Sequence, residues 1–482
     1  MTDVRTLLLQ VRSDPELARR QLGGPPLLPA LTAFIAGSQS APIPAAVREL
    51  AKLHLLDTLV AIVVNAELGP SRLALRFVLE HGGAASAAPI LGTTFRAPLL
   101  DAIFASAMTA HASEINDFCP SAFVQPGPPI VSAVVCCADA WRASGEQALR
   151  AIVAGYELCC RVPKALGIAN LQRAGLSSHG VGPTFGTAAA LASLLGLPRE
   201  KIGHVLSYCV QQASGSYQWL RDVEHIEKAF LFSAMPARNG AYAALLVREG
   251  FSGVPDPFEG APSFLISGTY LGKDSDLDRA QLVDGLGERF ELPLVAFKRY
   301  PVGGPAQPGV EGLLGLVADL RDRGRVAHVR IEMPGRADAF ANAAMPALNL
   351  RYLAALILLD GRLDFQAAQS LERMHGDAAV QARMECVEVV HDPWQERTPR
   401  VESARVTLTL TDGSQREVFI EHVLGFPEHP MGRSDVTDKA FALLKQPLGS
   451  KRARALIELV LHIEDASDMR AIVDAVTPAP ST

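Results

Sequence analysis

The stretch PIPAAVRELAKLHLLDTLVAIVVNA, residues 42–66, decides the fold class. Pro44 stands near a helix start, and the residues after it put apolar side chains on most faces, which suits a helix buried inside a bundle. Further Ala- and Leu-rich helical segments are expected near 97–113, 128–141, 146–165, 184–195, 199–213 and 235–249, parted by Gly, Pro or Ser clusters. Small side chains let such helices approach closely, and alanine has the highest helix propensity, so this half reads as an all-α bundle. After Asp276 the texture changes. VAHVRIEMP (326–334), MECVEVVHDP (384–393) and the two runs at 405–421 alternate apolar with polar residues and are rich in β-branched side chains, the pattern of strands. Asp412-Gly413 marks a hairpin, and helices are expected near 308–322 and 346–359. Helix returns over 434–475. The expected chain is therefore mainly α: a polar N-terminal extension (1–26), a large all-helical bundle domain (27–276), a smaller α+β lid domain (277–432), and C-terminal helices (433–482) returning to the bundle.

Among the 482 residues, 45 Lys plus Arg stand against 51 Asp plus Glu, a net charge of −6 that gives no drive towards nucleic acid or anionic lipid. Apolar runs such as Pro129–Trp141 fall short of the roughly 18 residues a membrane span needs. The first residues lack the basic flank, apolar stretch and cleavage site of a leader, so a cytoplasmic location is expected, with neither nucleic acid nor membrane as partner. The seven cysteines (119, 136, 137, 159, 160, 209 and 386) are odd in number and form no disulfide framework. Their spacing suits neither zinc nor an iron–sulfur cluster, and Cys136, Cys137, Cys159 and Cys160 are expected to be small buried hydrophobes. No metal is expected. The zinc-protease helix, the serine-hydrolase elbow and the phosphate loop are all missing from the sequence.

Four constellations carry chemistry. In AHASEINDFCPSAFVQPGPP (110–129), Glu114, Asn116 and Asp117 lie within four residues, and paired carboxylates raise one pKa into the acid–base range, unless the loop is merely solvated. In AGLSSHGVGPTFGTAAALASLLG (174–196), Gly180, Gly182 and Gly186 would open a helix whose free N–H groups favour a carboxylate or phosphate, with His179 as an acid, a base or a structural residue. In YQWLRDVEHIEKAF (217–230), Arg221, His225 and Lys228 would share a helical face, the alternative being a plain Glu224–Lys228 surface ion pair. In FKRYPVGGPAQPGVEG (297–312), Lys298, Arg299 and Tyr300 beside an interdomain seam suit a multiply charged acid, or form only a basic hinge.

These segments, in this order, resemble the MmgE/PrpD family, which includes 2-methylcitrate dehydratase, cis-aconitate decarboxylase and iminodisuccinate epimerase. The likeness rests on AKLHLLDTL (51–59), TAHASEIND (109–117), GPTFGTAAALASLLGL (182–197), QASG (212–215), HIEKAF with MPARNGAYAALLVREGF (225–251) and FKRYP (297–301). It implies a homodimer with a cofactor-free site between the domains, acting on a small carboxylic acid by proton transfer next to a carboxylate. Carried over residue by residue, it matches Lys228 and Lys298 to two family lysines, expected here as carboxylate anchors, and Glu114 and Asp117 to the first and last acids of its acidic loop. With the constellations read above, the expected catalytic set is His179, His225, Lys228, Glu114 and Asp117, and the expected substrate contacts are Lys298, Tyr300, Gln125, Arg221 and Gly182. The resemblance also marks a divergent branch. Cys119 and Gln125 stand where two family histidines follow the acidic loop, Asn116 replaces an acid, and Gly303, Gly304 and Gln307 occupy a loop that usually carries Cys or His. The expected activity is a lyase of dehydratase or decarboxylase type. Alternatives are an epimerase or isomerase of a dicarboxylate, and a silent homologue that binds a metabolite.

Overall fold

A computed structural model of the chain describes residues 26–84, 87–254, 256–259, 264–265, 278–396 and 402–478. The segment read as an N-terminal extension falls, but for its last residue, outside them. Helix α1 (Leu27–Gly37) buries Leu27, Leu31 and Ile35, spaced one turn apart. Helix α2 (Ala45–Asn65) starts after Pro44, and every side chain from Ala51 to Val63 is buried, as its apolar faces require of a bundle centre. Around it pack α3 (Gly69–His81), α4 (Leu99–Ala110), α5 (Gly127–Trp141) and α6 (Gly145–Leu166), the last opened by a Ser144–Gln147 capping box. They are followed by α7 (Ser178–Leu194), α8 (Arg199–Gln212), α9 (Ile226–Ala229) and α10 (Met235–Arg248).

The glycine run departs from expectation. Helix α7 opens at Ser178, so Gly180 stands in its first turn, but the Gly180 amide donates to the Ser177 carbonyl at 3.1 Å and is not free, and Gly182 and Gly186 lie further inside the helix. A Cβ on Gly182 would stand 2.4 Å from the Cys159 carbonyl oxygen, and one on Gly186 would stand 2.6 Å from Cys159 Cβ. The glycines let α7 press against α6, so the N–H donor role expected of Gly182 is replaced by close helix packing.

Beyond the bundle, β1 (Val326–Met333), β2 (Val387–His391), β3 (Ala404–Leu410) and β4 (Gln415–Ile420) form one sheet in the order β2-β1-β3-β4. The β1–β2 pair is parallel and joined by helices; the β1–β3 and β3–β4 pairs are antiparallel, the latter closed at Gly413. Val406 and Leu408 of β3 alternate inward with Val329 and Ile331 of β1, and α11 (Gln307–Ala318) and α12 (Leu350–Asp360) cover that face. The result is mainly α with a small α+β part, as the sequence indicates. One apolar core unites helices from Leu27 to Phe297 with Met431–Val476, and a second spans Val302–Leu410. The C-terminal helix α13 (Arg433–Leu461), broken at Gly449, packs along α2. Its Lys439 ammonium donates to Asp57 Oδ1 at 2.6 Å and to the Ile115 carbonyl at 3.0 Å, tying the acidic loop to the bundle. Among the described residues, no helix is long and apolar enough to cross a membrane.

Candidate active site

Helix α4 ends at Ala110 with His111 as its cap, and the chain then folds into a fully packed loop, not a solvated one. Ser113 Oγ donates to Asn65 Oδ1 at 2.7 Å, Asn116 Nδ2 donates to the Ala110 carbonyl at 2.5 Å, and Phe118 pairs with Ala296 in an isolated bridge. Glu114 and Asp117, read from sequence as a carboxylate pair, point to different partners. Asp117 accepts from the Gly127 amide at 3.0 Å and from the Tyr156 hydroxyl at 2.6 Å. His54 Nδ1 lies 3.0 Å from Oδ2, the oxygen that also accepts from Tyr156, but off hydrogen-bond geometry. Asp117 therefore anchors the loop to α5 and α6.

Glu114 faces the other way and joins three groups drawn from two separate constellations, His225 with Lys228 from one and Lys298 from the other. Its Oε2 accepts from Lys298 Nζ at 2.8 Å; its Oε1 accepts from His225 Nε2 at 2.9 Å and from Lys228 Nζ. All four residues are buried, and Lys298 is wholly so. Burial alone would raise the Glu114 carboxyl, yet the two ammonium groups and the His225 hydrogen bond outweigh it and hold it well below the usual carboxylate range. A shared-proton carboxylate pair is thereby replaced by a permanent anion between two cations. For Lys228, burial is the largest influence and lowers its pKa, Glu114 partly offsets it, and Lys298 lowers it further. The ammonium also stands 5.1 Å from the Phe232 ring centre and 5.2 Å from that of Trp219. The surface Glu224–Lys228 pair weighed from sequence is not formed: Lys228 turns inward.

That inward turn follows from a broken backbone. The segment at 217–230 is not one helix but a 3-10 turn (Tyr217–Arg221), a bend, the short α9 and a π-helical turn (Phe230–Ala234). Its pivot is His225 itself, at φ 63°, a left-handed conformation costly for a residue with a Cβ. Arg221 consequently shares no face with His225 and Lys228 and lies exposed. The π-helical turn delivers Phe232, whose ring stacks on His179 at 3.7 Å and meets His111 edge-on at 5.1 Å.

His111, overlooked as a candidate although it lies in a stretch quoted for the resemblance, stacks 5.2 Å from His225 and hydrogen-bonds Gln125 through Nε2. Gln125 thus serves a histidine. Burial first, then the neighbouring positive groups, pushes both His111 and His179 well below the ordinary histidine pKa, so both stay neutral. The Nδ1 atoms of His111, His179 and His225 have no hydrogen-bond partner among the described residues. A second group absent from the sequence reading, Glu402, enters from the strand side: its Oε1 borders the Gly303–Gly304 turn, and burial pushes its carboxyl up to about 8 against the pull of Lys298.

Tyr300 is not brought to this cluster. It packs against the α+β core and lines a separate cavity with Arg299 and Lys439. Cys119 turns towards Cys160; with Glu291 these make three donors within 4.8 Å, where the Lys164 ammonium pairs with Glu291 and supplies the positive charge a metal ion would bring.

The MmgE/PrpD N-terminal domain family matches residues 29–269, which hold Glu114, His179, His225 and Lys228, and the MmgE/PrpD C-terminal domain family matches 300–465. The chain belongs to the MmgE/PrpD family. It is 25% identical over 464 residues to the cis-aconitate decarboxylase-like protein oryM of Aspergillus oryzae, an overlap covering 89% of this chain and 93% of that protein. MmgE/PrpD members include dehydratases and decarboxylases, which supports enzymatic activity of a general lyase type.

Proposed function

We propose that the chain is a cofactor-independent lyase that acts on a small polycarboxylic acid by proton transfer at the carbon next to a carboxylate and expels water or carbon dioxide. The observation that carries this reading is the buried Glu114 carboxylate shared by Lys228, Lys298 and His225. Two ammonium groups against one carboxylate leave a cation in excess where water is excluded, and a buried uncompensated charge favours capture of an anion. A substrate carboxylate on the two lysines would satisfy them and acidify the adjacent C–H, because negative charge developing on its oxygens meets preorganised N–H donors.

His225 then acts as base. Its Nε2–H is given to Glu114, which leaves the Nδ1 lone pair free to take the carbon-bound proton. In dehydration the electron pair of the broken C–H bond forms the new C=C bond, and hydroxide leaves with a proton from the Glu402 carboxyl as water. In decarboxylation no C–H proton is removed: the C–C bond breaks, its electron pair stays on carbon as carbon dioxide departs, and the carbanion takes its proton from the Glu402 carboxyl. A second reading, epimerisation, is favoured by the pairing of an acceptor, the unpartnered Nδ1 of His225, with a protonated donor, the Glu402 carboxyl, since inversion needs both. A homodimer in the cytoplasm remains part of the proposal.

Proton NMR in deuterated water over a panel of di- and tricarboxylates tests it. Wild-type protein should release water or carbon dioxide from one of them without added cofactor. Lys228→Met should lower kcat/KM at least about 100-fold, equivalent to roughly 2.7 kcal/mol of transition-state stabilisation. Deuterium entry at carbon with inverted configuration and no elimination would establish epimerisation. Binding without exchange or product would mark a silent homologue and refute the lyase reading.

A further inference from the structure

A cavity of about 610 Å³ opens beside His225, between α3 and the α+β part, within the size range of small-molecule sites. His225 is the wall it shares with the lysine cluster: the residue lines the cavity, is 5% exposed, and has an unpartnered Nδ1, while its Nε2 reaches Glu114. On the α3 side stand Arg72 and Arg76, one helical turn apart and so on one face. Neither side chain makes a hydrogen bond or ion pair among the described residues, and both residues are exposed. Leu73, Met345 and Leu371 give the cavity apolar walls, the last two contributed from the α+β side. Glu224 is the one acid in the lining and pairs with neither arginine, so the guanidinium charge is free for a ligand.

We propose that this cavity is an outer subsite of the same cleft, in which Arg72 and Arg76 hold a second carboxylate of the substrate while Leu73, Met345 and Leu371 pack on the carbon skeleton between its charged ends. The inference rests on the reading of the lysine cluster as the reacting-end carboxylate site. It narrows the substrate to an acid with carboxylates at both ends of a short carbon skeleton, one for the lysines and one for the arginines. A guanidinium pair recognises carboxylate by paired N–H donors, and phosphate satisfies the same donors, so the two sources must be told apart.

Isothermal titration with tricarballylate, an unreactive tricarboxylate, and with inorganic phosphate tests the subsite on the full chain. Wild type should bind tricarballylate, and the Arg72→Met/Arg76→Met variant should weaken it at least about tenfold with an unchanged melting temperature, since both side chains are exposed and unpartnered. Arg72→Lys/Arg76→Lys should recover part of the loss. Unchanged tricarballylate affinity in the double Met variant, with binding lost in Lys228→Met, would overturn the subsite and leave the lysine site standing. No binding by wild type would overturn both. Phosphate binding that depends on the two arginines, without tricarballylate binding, would overturn the carboxylate assignment in favour of a phosphate site.

Discussion

Glu114 and Glu402 show how one residue type is set to opposite protonation states. Both are carboxylates beside Lys298, but Glu114 accepts from two ammonium groups and an imidazole, whereas burial dominates at Glu402. The first is a fixed anion and the second a neutral acid at pH 7. The sign for Glu402 follows directly: with its pKa raised to about 8, the proton is present at neutral pH and is lost as the pH climbs through that value. Turnover in the dehydration reaction should therefore fall on an alkaline limb near pH 8. Glu402→Gln should abolish that limb and lower kcat by about 10²–10⁴, the range typical of general acid catalysis. A pH profile of kcat checks this, and an unchanged limb in the variant would exclude Glu402 as the acid. At this scale the residue types were legible in the sequence, but their partners were not. Glu114 was grouped with Asp117 because they are neighbours in the chain, yet the fold turns them to opposite sides.

Elements decide how those side chains are aimed. The break at His225 converts an expected helical face into a turn that exposes Arg221 and buries Lys228, and the π-helical turn after it brings Phe232 against His179. A periodicity argument cannot see this, because a left-handed residue without glycine is sustained only by the contacts around it. The seam between α6 and α7 was likewise misread from composition, since glycines that admit a neighbouring helix look the same in sequence as glycines that expose amides. Gly182→Ala distinguishes the two. Its methyl group would meet the Cys159 carbonyl oxygen at 2.4 Å and Pro163 Cγ at 2.7 Å, so the variant should lose about 1–3 kcal/mol of stability, the usual cost of overpacking. Urea denaturation measures this. A variant of wild-type stability with selectively weakened acid binding would instead restore the anion-binding reading.

For the whole molecule, the surface near the outer cavity carries an edge-to-face row of rings, Phe77, Phe104 and Phe230, with Phe77 53% and Phe230 42% exposed. Contiguous exposed aromatics of this kind suit a subunit contact. The expected homodimer should be seen by light scattering after size exclusion, and Phe77→Asp/Phe230→Asp should shift it towards monomer while leaving the far-UV dichroism intact. A wild-type monomer would end that expectation. The sequence by itself determined the mainly helical body and the small sheet, because apolar periodicity is local and each element must bury its own apolar face. It also supplied the collinear segments that mark the family. Only the tertiary structure could decide the site. Glu114 lies 114 residues from Lys228 and 184 from Lys298, and no local pattern records that a buried anion in one loop is compensated by cations so remote in the chain.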